Sequence, residues 1–269
     1  MIKRTLYVWQ TDMKKIVTGI CLPMGMILMC LLMLTGSVYQ SETGESWNHI
    51  TIFFEFKRQT IQGMFSAYEI CMSNNSGLYV YAPLCVMLPL IPVLVMERQG
   101  GSRRYQIMRV GKKAFAIGKL LTALLTGGIT LAGGFLLYCA YVVIMFSQGD
   151  IPLTIGTALY EAMYYFIYGA VLTSIGYIIG IFVKNVYLVY CIPFILNYLW
   201  EMSLSSRAIV EKSKTMKVIY SSLRSLIAMN LRWVSMETKL WFGVVHIIVI
   251  VSAVLLFIYY LNKKADCGV

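Results

Sequence analysis

Charged residues are scarce in this chain of 269 residues. They make up 13% of it, about half the share that is usual in a soluble domain. Hydrophobic residues account for 59%, and the mean hydropathy is +0.72. So few charges cannot cover the surface of a water-soluble fold of this size. Because the charges also cluster between long runs without Asp, Glu, Lys or Arg, the composition predicts a polytopic membrane protein.

The sequence also lacks the short motifs of membrane-embedded enzymes and metal sites. It has no H-E-x-x-H, G-x-S-x-G or C-x-x-C, and its seven cysteines have no metal-ligand spacing. One predicted span, 240–262, contains a histidine, His246, whose imidazole can ionise. We favour an interhelical hydrogen bond for His246 over a proton relay, since a relay needs polar partners. We therefore predict no catalytic residue, no metal site and no enzymatic activity for this chain.

Six charge-free runs predict six transmembrane helices, because a helix that crosses the hydrocarbon core needs ~20 apolar residues. Strand-like alternation is absent, so we expect an all-α membrane protein with a single transmembrane domain. The weakest run, 185–204, contains Pro193 and Asn197, and a re-entrant segment is the alternative there. The predicted spans are about 16–38, 78–96, 120–146, 162–183, 185–204 and 240–262.

The distribution of basic residues predicts the orientation. Before the first span, Ile2, Leu6, Trp9 and Met13 form one apolar stripe, which is typical of a helix lying in the membrane interface. With both termini in the cytoplasm, the inner side holds 14 Lys and Arg against three acids, and the outer side nine of each. The basic loop 201–239 does not follow this rule. The net charge of +11 reflects membrane topology, and we expect no nucleic-acid partner.

Several further features concern helix packing and the outer surface. Pro83, Pro89 and Pro92 predict kinks in the second span, and Gly176 with Gly180 forms a G-x-x-x-G packing motif in the fourth. The segments 46–72 and 205–236 are predicted to be amphipathic, the first of them as a helix, and to lie on the outer membrane surface. For both we favour interfacial anchoring over contact with anionic lipid or substrate.

One inner loop, residues 96–119, carries seven of the 14 inner basic residues. Ser102 is a suitable N-cap, the next residues form about two helical turns, and Gly111 takes the position after the helix. Tyr105 and Met108 project among the arginines. A helix this short is unstable alone and needs a surface to dock on. A simple positive anchor is the alternative, but it does not need such defined helix ends.

This loop resembles that of the membrane subunits of ABC transporters of the ABC-2 type. The resemblance covers most of the chain in layout and about 25 residues in motif, from Glu97 to Lys119. Ser102 stands where a threonine is usual, and no proline precedes Lys112. The resemblance implies a coupling helix at about 102–111 that contacts an ATPase. The residues it assigns to coupling are Glu97, Arg98, Gly101, Ser102, Arg103, Arg104, Tyr105, Met108, Arg109 and Lys119.

The resemblance also implies a function. The chain has no G-x-x-x-x-G-K-[ST], so separate ABC ATPase subunits would hold ATP and Mg²⁺, and this chain would bind no cofactor. A second permease, identical or homologous, would complete the pathway in a bacterial cytoplasmic membrane. The expected activity is export of an amphipathic substrate: an antimicrobial peptide or bacteriocin, a lipid-linked molecule or a drug-like one. The alternatives are a secondary carrier and a non-transporting sensor or assembly subunit.

Overall fold

A computed structural model of the chain describes residues 2–40, 46–49, 67–72, 76–99, 102–145, 154–183 and 185–205, together with Ile248 and Ser252. Helices dominate these ranges, and two short strands form one antiparallel pair. In chain order the elements are α1 (Ile2–Val17), α2 (Cys21–Leu34), β1 (Ser37–Gln40), β2 (Ser46–Asn48), α3 (Ala67–Met72), α4 (Ser76–Gln99), α5 (Ser102–Val110), α6 (Lys112–Met145), α7 (Ile155–Phe182) and α8 (Val186–Ser205).

Two helices are long and apolar enough to cross a membrane, namely α6 and the Ile155–Gly180 part of α7. The consecutive helices α1 and α2 pass the same test together, but they are bent by 63° at the break between them. The coarse prediction of a helical membrane protein is therefore confirmed with two or three candidate spans. The count of six spans and the side of the termini stay predictions. Except for its end residue Ser205, the predicted outer segment 205–236 lies outside the described residues, as does most of the predicted span 240–262.

The beginning of the chain differs from the expected continuous first span at 16–38. The helix α1 extends to Val17, and α2 ends at Leu34. The backbone N–H of Thr35 donates a hydrogen bond to the carbonyl of Leu32 there. The strand β1 follows, and Tyr39 pairs with Trp47 of β2. The first residues of the segment 46–72, expected as a helix, are therefore extended. Aromatic and β-branched residues such as Val38, Tyr39 and Trp47 favour a paired strand.

Close contacts between glycines and neighbouring helices hold the bundle around α6. A Cβ atom on Gly169 of α7 would overlap the carbonyl oxygen of Gly127 of α6, so these two backbones touch. Gly176 provides the room that the Met87 side chain of α4 occupies, whereas a Cβ on Gly180 would make ordinary contacts at 3.4 Å and 3.5 Å. Small residues allow this approach because they keep the helix axes close.

The helix α4 is continuous through all three of its prolines, Pro83, Pro89 and Pro92. The kinks that the sequence predicts at these positions stay a prediction. Pro83 and Pro89 are buried in the bundle, and α4 lies between α2, α6, α7 and α8. The helix α4 is thus packed on several sides before the chain continues to α5.

Candidate functional site

The helix α5 presents a mixed apolar and basic surface at one end of the bundle. Tyr105 and Met108 are each 74% exposed, and Arg104 and Arg109 are exposed beside them. On the other side of the helix, Val110 is buried and Ile107 packs against the core. One face of α5 is therefore fixed to the bundle, and the other carries large apolar side chains among cations.

A single glycine joins α5 to α6. Gly111 has a φ of +86°, which is the left-handed region that side chains other than glycine disfavour. Its backbone N–H donates to the carbonyl of Ile107 at 2.9 Å, and its own carbonyl accepts from Phe115 at 3.0 Å. The short helix predicted from the loop is present at Ser102–Val110, within one residue of the expected ends. These two backbone hydrogen bonds of Gly111 link the last turn of α5 to the first turn of α6.

The N-terminal helix α1 contacts α5 from the side. The guanidinium of Arg109 donates to the hydroxyl of Tyr7 at 3.2 Å and lies 5.0 Å from the centre of its ring. This pair of interactions orients the side chain of Arg109 along α1. Tyr7 was not among the residues that the sequence selected, because its partner is far away in the chain.

A buried ion cluster lies where α1, α4 and α6 meet. The Nζ of Lys119 is 2.7 Å from Asp12 Oδ2, and it also donates to Glu97 Oε1. The exposed fractions of Asp12, Glu97 and Lys119 are 0%, 4% and 3%. We call these three residues the triad. Burial raises the pKa of Glu97, while Lys119 opposes this rise and Asp12 adds to it.

Asp12 was missed as a site residue by sequence reasoning. The apolar stripe of α1 indicated one face, yet the buried face consists of Thr5, Val8, Asp12 and Ile16. Of the apolar stripe, Ile2 and Leu6 are exposed, whereas Trp9 and Met13 are half-buried at the edge of that face. A usable signal existed, because Asp12 is the one acidic residue before Glu42. A lone acid among basic residues is a candidate for an internal ion pair.

A glycine on α6 allows α1 to approach closely beside the triad. A Cβ on Gly118 would lie 2.9 Å from the Cβ of Val8 and 3.1 Å from the carbonyl oxygen of Thr5. The ring of Phe115 lies 5.3 Å from the Nζ of Lys119 and is almost completely buried. The triad is therefore enclosed by close backbone packing and an aromatic ring, which excludes bulk water from the ions.

The structure divides the predicted coupling residues into two groups. Arg104, Tyr105, Met108 and Arg109 share the exposed side of α5, while Glu97 and Lys119 are buried in the triad. The structure describes the helical backbone, but not the side chains, of Arg98, Ser102 and Arg103. For Asn197 on α8, too, the backbone is described and the side chain is not. The described residues do not include Gly101 and His246.

A second polar contact lies at the far end of α6. His49, which is 2% exposed, has its Nε2 2.8 Å from the hydroxyl of Tyr138, and that hydroxyl also donates to the carbonyl of Ile70 at 3.3 Å. Because the hydroxyl proton serves Ile70, His49 donates its Nε2 proton to Tyr138. Burial lowers the pKa of His49 from 6.5 to about 4. A neutral histidine thus ties the end of β2 to α6 and α3.

No converging set of three or more His, Cys, Asp or Glu side chains suitable for a metal occurs in the parts of the chain that the structure describes. The buried polar groups at the α5 end are the amine and two carboxyl groups of the triad, and exposed guanidinium groups of α5 lie outside it. Comparison of the chain with protein-family models, with curated proteins and with solved structures finds no match.

Proposed function

We propose that the chain is the membrane permease subunit of an ATP-driven transporter, with α5 as the helix that receives movement from a separate ATPase subunit. One observation supports this proposal above the others. Tyr105 and Met108 are each 74% exposed on a nine-residue helix whose opposite side is fixed to the bundle. Aromatic residues, methionine and arginine are enriched where proteins bind each other.

The position of α5 suits the transmission of force. It follows α4 and precedes α6 in the chain, packs against both, and is joined to α6 through Gly111. A movement of α5 would therefore act on two helices at once. Because the chain has no phosphate-binding loop, ATP and Mg²⁺ would be held by the partner ATPases.

The remaining parts of the proposal follow from the resemblance to ABC-2 permeases. The chain would pair with a second permease, identical or homologous, in a bacterial cytoplasmic membrane, with both termini in the cytoplasm. It would export an amphipathic substrate such as an antimicrobial peptide, a lipid-linked molecule or a drug-like compound. The exposed apolar sides of α2 and α8 would face lipid or the second permease.

A photo-crosslinking amino acid at position 105 tests the proposal in native membranes. We expect it to capture a protein with a Walker motif, identified by mass spectrometry. The matched control is the same amino acid at position 144, because Ile144 is 75% exposed but lies at the other end of α6. Capture of the ATPase from both positions, or from neither, would contradict the proposal.

A charge-reversal pair tests the basic side of α5. Arg104→Glu should release the ATPase from the purified complex, because it places a negative charge among the cations that face the partner. Arg4→Glu makes the same change at an exposed position on α1 and should leave the complex intact. If Arg104→Glu retains the ATPase fully, α5 is not the docking helix.

A further inference from the structure

The triad has an unequal number of acidic and basic groups. Asp12 and Glu97 both contact the single amine of Lys119, and none of the three residues is more than 4% exposed. With both carboxyl groups ionised, the triad would carry one uncompensated negative charge. Burying such a charge is unfavourable even after the protein relaxes, and buried groups commonly take up a proton instead.

No other described group supplies the missing positive charge from inside the bundle. Lys15 on α1 acts on Glu97, but its side chain is exposed to solvent, which screens its charge. On α5, Arg109 is held by Tyr7. The helix α2 has no charged residue. Among the side chains that the structure describes, the carboxyl groups themselves are therefore the remaining place for charge neutralisation.

We propose that Asp12 and Glu97 share one proton at neutral pH, so that the triad is an electrically neutral proton-binding site that fastens α1 to α4 and α6. The proton comes from water when the carboxyl groups are buried, and it returns to water when they separate. One carboxylate then forms an ion pair with Lys119, and the other carboxyl group is a neutral acid. This site is independent of any ATPase partner.

The direction of the pH dependence follows from the proton count. The buried state of the triad holds one proton more than the separated state at pH values above the ordinary Glu pKa of 4.5. Binding of α1 to the bundle is therefore strongest in acid, and it weakens as the pH rises through the raised pKa of Glu97. The charged groups that set this pKa are Lys119, Asp12 and Lys15.

Infrared spectroscopy of the full chain in lipid tests the proposal directly. At neutral pH the unmodified protein should show the carbonyl band of a protonated carboxyl group, and Glu97→Gln and Asp12→Asn should each abolish it. Both variants retain one carboxylate opposite Lys119, so they should fold. The absence of this band from the unmodified protein across the neutral range would overturn the proposal and assign charge compensation to Lys15.

The thermal stability of charge variants gives a second, independent test. Each single variant, Glu97→Gln or Asp12→Asn, should retain the midpoint of the unmodified protein. The double variant should lose stability, because Lys119 is then an unpaired buried cation. Lys119→Met should be unstable at neutral pH and recover in acid, where the second carboxyl group also takes a proton. A single carboxyl variant as unstable as the double variant would show that both carboxylates are needed ionised, and would overturn the proposal.

Discussion

At the scale of single residues, Gly111 has the strictest backbone requirement at the α5 end. No atom outside its chain neighbours lies within 4 Å of a Cβ built at this position, so space is available and only the φ of +86° limits the choice of residue. The cost of a side chain here is therefore purely conformational. A left-handed conformation costs a non-glycine residue about 1–2 kcal/mol, with asparagine tolerated best.

We therefore expect Gly111→Ala to lower the free energy of unfolding by about 1–2 kcal/mol, and Gly111→Asn to lower it by less. The matched control is Gly156→Ala in the first turn of α7, where a Cβ has room and φ is not positive. That change should be neutral or stabilising by up to about 1 kcal/mol. Thermal unfolding in detergent measures both. Equal effects at the two positions would contradict the conformational explanation.

His49 is a residue whose charge state the fold decides. We expect its imidazole to titrate at about pH 4, because burial disfavours the charged form. The native contact with Tyr138 should lose stability as the pH falls below 6.5, since the separated histidine then binds the proton more readily. The chain has two histidines, so NMR of a His246→Gln variant reports on His49 alone. Titration near 6.5 would place His49 in water.

At the scale of helices, the contact between α6 and α7 depends on Gly127 and Gly169. We expect Gly169→Ala to destabilise the protein by about 1–3 kcal/mol, the usual cost of overpacking, because the obstructing atom is a backbone carbonyl that cannot rotate away. Gly180→Ala is the control, as its Cβ would make ordinary contacts on the same helix. Thermal stability of the two variants should differ clearly. Similar values would argue against a backbone contact at Gly169.

The helices differ in how well local sequence predicts them. The ends of α5 were predictable because Ser102 and Gly111 are local signals, and a helix between them needs no distant partner to be recognised. The buried face of α1 was not predictable from its apolar stripe. Half of that stripe is exposed, and the face toward the bundle is determined by the fit of Val8 against Gly118 and by the ion pair of Asp12 with Lys119.

At the scale of the whole molecule, the topology is open to a direct labelling experiment. In a variant without native cysteines, Met108→Cys should react with an impermeant maleimide from the cytoplasmic side only, and Thr154→Cys from the outside only. Ser213→Cys in the basic loop distinguishes the two models. Six spans predict labelling from outside, and a re-entrant 185–204 predicts labelling from the cytoplasm. Labelling of Met108→Cys from outside would invert the whole arrangement.

Composition and charge distribution were sufficient to predict a membrane protein. The free energy of moving an apolar run from water into a membrane depends on the residues of that run and hardly on the rest of the fold. The same holds for the helix between Gly101 and Gly111. The strand pair of β1 and β2 was not predicted, since pairing depends on a partner strand that a local pattern does not reveal.

The triad forms only when the chain folds. Its members come from three helices, and each had another explanation in the sequence: Asp12 as one charge in a basic segment, and Glu97 and Lys119 as coupling residues. Only folding removes water from them and brings two carboxyl groups to one amine. Since the energy of a buried ion depends on its surroundings, its role is set by the tertiary structure and cannot be read from residue type.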